Sequence, residues 1–280
     1  MFLQQLALIS EVNGITLSQL TRVSAAIQKQ VMRDFTSVWS TDATCDAFTT
    51  LEDVPIGYWP IIIRDDIGFA GAAGIHLDQD NQPFALVQFT NRWELTVSHE
   101  ALEMLADPFG NRLIAGDSIK PGQGRVEYLV EVCDPSEDVR FSYTVNGISV
   151  SDFYSPRFFD PAKTSGARYS FTGAIRRPRE VLKNGYLSWR DPASNHWWQQ
   201  IYFGARKRFR DLGVLTSSAE SLRAQIDRLT VRPERLKGVR GGSLSLLTAS
   251  APPAAITKSV NAKAKAWHTQ IEALKKKYGK

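Results

Sequence analysis

Along residues 16–39 the apolar positions Leu20, Val23, Ile27, Val31 and Phe35 recur at intervals of three and four. Thr16 and Ser18 stand ready to cap this stretch, so the pattern predicts an amphipathic helix. Residues 54–63 (VPIGYWPIII) read as a strand entered through Pro and Gly turns, and FALVQF at 84–89 reads as a second. Between them lie a small, Gly-rich segment, GFAGAAGI at 68–75, and a turn cluster, DQDNQP at 78–83. Backbone in the Gly-rich segment can approach a neighbour closely. Residues 93–106 (WELTVSHEALEMLA) read as a helix ended by Asp107-Pro108, because proline disfavours helical backbone in the residue before it. Residues 109–125 read as loop.

Residues 126–134 carry two patterns at once. Alternate valines favour a strand, whereas Glu127 and Glu131 share a face only on a helix. Asn146-Gly147 centres a hairpin over 139–154. Residues 155–204, rich in Pro, Gly and aromatics, read as irregular cover. A helix over 217–230 starts at Ser218 and aligns Leu222, Ile226 and Leu229. Residues 238–257 are linker-like and 259–278 read as a closing basic helix. No internal repeat is present.

Composition narrows the class. The 280 residues are 43% hydrophobic and 22% charged, which excludes bulk disorder and supplies enough chain for a self-sufficient core. Two cysteines, Cys45 and Cys133, are too few for a disulfide framework and suit a reducing compartment. The start MFLQQLALISEVNG lacks the layout of a signal peptide, and no run approaches the ~20 apolar residues that span a bilayer. A soluble, cytoplasmic protein with no membrane partner is the expectation. The net charge of +5 hides an asymmetry: residues 1–200 hold 17 Lys+Arg against 24 Asp+Glu, and residues 201–280 hold 17 against 5. An acidic body with a basic tail suggests an acidic partner for the tail, nucleic acid, or the body itself. The tail carries no nucleic-acid module signature, and Phe209, Trp267 and Tyr278 are sparse aromatics.

The chemistry-bearing stretch is Ser98-His99-Glu100-Ala101-Leu102-Glu103, running on to Asp107-Pro108. On a helix His99, Glu103 and Asp107 project from one face, with Glu100 beside them. A catalytic zinc takes three N or O protein ligands at ~2.0–2.2 Å and keeps one position open. A His and a carboxylate one turn apart supply two of the three, and the carboxylate beside the ligand His is placed to take a proton from water. Leu95, Val97, Leu102, Met104 and Leu105 flank these groups, and ionisable side chains on a buried helix must pair or coordinate. The competing reading is a solvated polar face. Cys133 is a thiolate ligand or, preferably, a small buried hydrophobe. Tyr154 is a candidate oxyanion donor against a core-aromatic reading. His76 is a candidate transition-state donor against a structural one. His196 reads as packing, and His268 lies in the tail.

The stretch resembles the HExxH helix of zincin metallopeptidases, with Glu103 where the second His usually stands. It is more similar still to a set of zincin-like proteins, among them uncharacterised bacterial proteins and Exordium-type plant proteins. These carry SHExxE, a helix-ending DP and a downstream E-[IV]-x-D. Here the matching residues are Ser98-His99-Glu100, Glu103, Asp107-Pro108 and Glu131-Val132-Cys133-Asp134, and the likeness spans about residues 16–160. It implies His99, Glu103 and Glu131 as metal ligands, with Asp107 and Asp134 around them. The spacing of gluzincins makes Glu127 the alternative third ligand. A His with two carboxylates is a harder donor set than two His and one Glu, so Zn2+ comes first and Mn or Fe remain open. In zincins an edge strand pairs with an extended substrate, a role FALVQF would fill.

The expected fold is therefore α+β: a zincin-like domain over 1–204, with its core at about 16–160, an active-site helix and a small mixed sheet. A basic helical extension occupies 205–280. The expected function is that of a metal-dependent hydrolase, most simply a zinc peptidase acting on a peptide or protein substrate, with Glu100 as general base and His76 and Tyr154 assisting. The alternative is a non-enzymatic binding or assembly protein on the same scaffold, whose tail docks an acidic partner or nucleic acid.

Overall fold

The computed structural model describes residues 3–69, 71–215, 220–230 and 254–278. It is a mixed α+β protein built on two five-stranded sheets. The first sheet contains β1 (Gln4–Ser10), β2 (Ala43–Ala47), β3 (Trp59–Arg64), β4 (Gly74–Gln79) and β5 (Gln82–Gln88), in the order β2-β1-β3-β5-β4. Its strands run parallel except β4, which pairs antiparallel with β5. Side chains alternate across this sheet. Leu6, Leu8, Ile61, Ile63, Ala85 and Val87 enter one core, whereas Ala7, Ile9, Ile62, Ile75, Phe84 and Leu86 enter the other. With both faces covered, β1 and β3 become short continuous apolar runs without polar alternation.

Helix α1 (Leu17–Gln30) begins with a capping box in which Gln19 N–H donates to Thr16 Oγ1 and Thr16 N–H donates to Gln19 Oε1. The helix expected through residue 39 winds through a π turn at Val31–Phe35 before a last turn, α2 (Thr36–Trp39). Helix α3 (Trp93–Ala106) has the predicted bounds. Ten of its residues are buried, including Val97, Ala101, Leu102, Met104 and Leu105, because it lies between the first sheet and the hairpin β8–β9 (Tyr143–Val145, Ile148–Val150). That hairpin turns at Asn146 and Gly147, both at positive φ as its two-residue loop demands.

The second sheet is antiparallel, in the order β12-β11-β10-β7-β6. It contains β6 (Leu113–Asp117), β7 (Arg125–Leu129), β10 (Tyr186–Arg190), β11 (Trp197–Ile201) and β12 (Arg208–Gly213). Several expectations change here. The supposed loop 109–125 contains β6, and the irregular cover 155–204 contains β10 and β11. The supposed boundary at 204 falls within the sheet, since β12 pairs with β11. Val126, Tyr128 and Trp189 share one apolar core with Leu6 and Phe35, so both sheets belong to a single body. FALVQF is also not an edge: β5 is flanked by β3 and β4, and the edge strands are β2 and β4.

Helix α4 (Leu222–Leu229) is capped by Ser221, whose Oγ accepts the Ala224 N–H. The expected cap Ser218 and most of the linker 238–257 lie outside the described residues. Helix α5 (Ala254–Tyr278) anchors its start on the outer face of the first sheet, with Ile256 buried and Thr257 Oγ1 accepting from Gln79 Nε2. His268 on this helix is exposed. Among the described residues no helix is long and apolar enough to cross a membrane.

Candidate metal centre

The rotation of α3 about its axis is fixed by a buried polar network on the face away from the site. Ser98 Oγ–H donates to Gln30 Oε1 at 2.7 Å and accepts the Ser151 N–H at 2.8 Å, while Gln30 Nε2 donates to the Ser151 carbonyl at 2.9 Å. Satisfied buried networks of this kind select a unique packing. His99, Glu100 and Glu103 thereby turn toward the turn that follows β7. At the C-terminus Asp107 N–H closes the last turn on Glu103 O, and Asp107 Oδ2 accepts the Arg112 N–H at 2.7 Å. Asp107 thus finishes the helix and orders the following loop. It belongs to none of the donor clusters among the described residues.

The ambiguity over 126–134 resolves as a strand that stops at Leu129. Glu127 and Glu131 therefore do not share a helical face. Glu127 sits on β7 beside Arg190 of β10 and accepts its Nε–H at 2.8 Å, which removes it as a ligand candidate. Glu131 lies past the strand end and turns inward. Its N–H donates to the Tyr154 hydroxyl at 3.0 Å, and two residues on Cys133 N–H donates to Glu103 Oε1 at 3.1 Å. Asp134 begins the 3-10 turn Asp134–Ser136.

His99 Nε2 stands 3.3 Å from Glu103 Oε2 and 3.1 Å from Asp134 Oδ1. Two ligands held at ~2.1 Å by a tetrahedral ion stand ~3.4 Å apart, so both spacings suit a shared ion. Glu103, Glu131 and Asp134 offer oxygens within 4.8 Å of one another, and a His99 ring nitrogen stands equally close to oxygens of Asp134 and Glu137. Glu103 and Asp134 are shared between groups that contain His99 and a group that contains Glu131, but His99 and Glu131 do not fall in one donor group. The structure moves Asp134 from a supporting place to the donor face itself, and adds Glu137, which the sequence reading missed.

Glu100 is 2% exposed and faces a cleft of about 450 Å³ whose lining also includes His99, Asp134, Tyr186 and Arg223. Clefts of this size hold small ligands or short peptide segments. Gly74 at the start of β4 lets this wall close: a Cβ there would stand 2.6 Å from Glu100 Oε1. The close approach expected of the Gly-rich segment is therefore made to Glu100. His76 and Tyr154, by contrast, are fully buried and absent from the cleft lining. The His76 Nε2–H donates to the Asp107 carbonyl at 2.9 Å, leaving Nδ1 3.8 Å from Glu100 Oε2. Tyr154 stacks on Phe158 at 4.3 Å between centroids and spends its hydroxyl on the Glu131 backbone. Tyr154 backs the Glu131 backbone and His76 lies behind Glu100, and neither reaches the cleft.

Electrostatics in the site are dominated by carboxyls. Glu100, Glu103, Glu131, Asp134 and Asp227 are all buried or nearly so, and the cation among them is Arg223 of α4, itself 2% exposed. Arg223 Nη1 bonds Glu103 Oε2 and lies 2.8 Å from Glu131 Oε2. Its Nη2 is 3.6 Å from Glu100 Oε2, and its Nε donates to Asp227 Oδ2 at 3.1 Å. Burial penalises the Glu103 carboxylate, but Arg223 and then His99 outweigh it and hold this carboxyl below the usual range. For Glu131 burial prevails: its carboxyl is pushed well up despite Arg223, reinforced by Glu103 and Asp134. Burial likewise raises the Cys133 thiol, which favours the hydrophobe reading over a thiolate ligand. His99 is desolvated yet held well above its ordinary value by Glu103 and Asp134.

This donor set could hold a divalent ion once Arg223 is off the shared Glu103 oxygen. Glu131 Oε1, Asp134 Oδ2, Glu100 Oε2 and His76 Nδ1 are buried without a hydrogen-bond partner, a costly state that a bound cation would relieve for the carboxylates. Sequence reasoning placed Arg223 on a helix but gave it no role, because its partners Glu100, Glu103 and Glu131 stand some ninety residues or more earlier in the chain. No protein-family profile, curated protein or solved structure matches this chain.

Proposed function

We propose that this protein is a metal-dependent hydrolase of zincin-like type, most simply a peptidase, with Zn2+ as the first candidate ion and Mn or Fe as alternatives. The observation that carries this reading is the His99 imidazole, 3.3 and 3.1 Å from carboxylate oxygens of two different elements, in a buried cluster with unpartnered acid oxygens. His99, Glu103 and Glu131 would hold the ion, with Asp134 as a fourth donor or as the acid that orients His99. When bound, such an ion polarises a carbonyl and acidifies water. The chain supplies the rest. Glu100 borders the cleft with Oε2 free of hydrogen bonds, which suits a base that takes a proton from water and returns it to a leaving group. Gly74 keeps Glu100 in place, and Tyr154 holds the backbone of Glu131. The test combines metal analysis of chelator-free protein with turnover of a mixed peptide library read by mass spectrometry. Glu100→Gln should keep one equivalent of metal and lose turnover by about a hundredfold or more. Unchanged turnover, or protein that takes up no metal in any form even when the ion is supplied, would overturn the assignment.

Arg223 favours a second reading. A guanidinium bonded to Glu103 and ion-paired with Glu131 already supplies a cation to the cluster, as expected if the scaffold binds a partner and catalyses nothing. In that reading the basic tail docks an acidic partner or nucleic acid, and metal binding is weak in every variant.

A further inference from the structure

Arg223 does not bond the outer oxygens of the ligand carboxylates. Its Nη1 bonds Glu103 Oε2, the very atom that stands 3.3 Å from His99 Nε2, and lies 2.8 Å from Glu131 Oε2. An ion gripped by His99 and Glu103 would need the same oxygen at ~2.1 Å. Two cations cannot both occupy that position at these distances, since their mutual repulsion in a low-dielectric site is large. The guanidinium is also 3.6 Å from the base candidate Glu100, so one side chain touches ligands and base together.

The helix that delivers Arg223 is lightly held. It has eight residues, of which Ala224 and Ile226 are the buried apolar ones, and its small apolar cluster joins Ile226 to Leu129 and Trp197 with half-buried Leu113, Leu212, Leu215 and Leu222 around them. Much of its attachment is polar. Arg223 N–H donates to Gly110 O at 3.0 Å, Leu222 N–H to Asn111 Oδ1 at 2.8 Å, and Tyr186 Oη–H to Asp227 Oδ1 at 3.2 Å. Gly110 sits at φ +60° where a Cβ would stand 3.0 Å from the Arg223 Cβ, so the loop and the helix are fitted to each other. Elements with few buried apolar contacts open at low free-energy cost. Arg223, Asp227 and Thr230 meanwhile line the same cleft as Glu100.

We propose that α4 is a built-in stopper: Arg223 occupies the ligand carboxylates of the metal centre, and a divalent cation and α4 compete for them. This rests on the metal-site reading above. Because the guanidinium is 3% exposed, displacing it moves the helix that forms the cleft wall. Metal loading and opening of the cleft are then one event, and by linkage each favours the other.

The experiment uses the full chain, with Zn2+ and then Mn2+ as probes. Titration calorimetry of wild type against Arg223→Gln should show binding tightened by about tenfold or more in the variant, within the usual span of coupling energies. Hydrogen exchange of the wild-type protein should show amides of Leu222–Leu229 exchanging about tenfold faster with metal than with chelator, and His99→Ala should abolish that response. Equal affinities with unchanged exchange would sink the stopper and leave the metal site standing. Tighter binding by the variant without any change in α4 exchange would reduce Arg223 to a screening charge and overturn the proposal. Failure of every form to bind either ion would remove the metal-site reading itself. If Arg223→Gln does not fold, wild-type exchange decides alone.

Discussion

The two helices that wall the cleft are built on opposite terms. Helix α3 is surrounded by apolar side chains from the first sheet and hairpin, and its polar groups are fixed by Ser98, Asp107 and Cys133. Helix α4 brings one charged side chain to the same place, backed by a small apolar cluster with three buried members. The first is scaffold in the energetic sense, since its burial is shared with the core of the whole body. The second is held as much by carboxylates as by packing, so its position depends on what else those carboxylates bind.

Substitutions can break or sharpen this contrast. The largest effect belongs to Arg223→Ala, which leaves buried carboxylates uncompensated and should cost about 3–5 kcal/mol in chelator. On the proposed metal-site reading, chemical denaturation should recover much of that loss when Zn2+ is added, because the ion would neutralise the same oxygens; a loss that Zn2+ leaves untouched would separate Arg223 from the proposed metal site. Next comes a matched pair. Leu102→Ala in α3 should lower global stability by about 3 kcal/mol, a typical cost for a fully buried leucine. Ile226→Ala in α4 should cost less, about 2 kcal/mol, and act mainly by raising exchange of α4 amides. Equal global losses would show that α4 unfolds only with the core. For Gly74→Ala the expected loss is about 1–3 kcal/mol, overlapping that of Ile226→Ala, through the clash with Glu100 Oε1 and Thr96 Cγ2. Its effect on turnover should exceed its effect on stability, since the displaced group is the base candidate.

How much was readable depended on where the partners lay. The bounds of α3, the hairpin at Asn146-Gly147 and the shared face of His99 and Glu103 are local, and all are visible in a window of fifteen residues. β1 was missed because Leu6–Ile9 is a four-residue apolar run, too short to tell strand from other buried segments when both faces are covered. β10 and β11 were missed because Gly185, Pro192 and the tryptophans around them read as punctuation and packing. Glu127 and Glu131 look alike in sequence. Only the end of β7 at Leu129 separates an ion pair with Arg190 from a place in the acid cluster.

From residue order alone came the α+β class, the acidic body and basic tail, and a helix that carries an imidazole and two carboxylates toward one point. Those are properties of period, composition and spacing, which neighbouring residues settle among themselves. The tertiary fold decided that Asp134 joins the donor face, that Tyr154 and His76 are supports, and that an arginine from the far end of the chain lies among the acids. No local pattern encodes those outcomes, because a buried charge is stable only where distant partners converge on it, and convergence is a property of the packed chain.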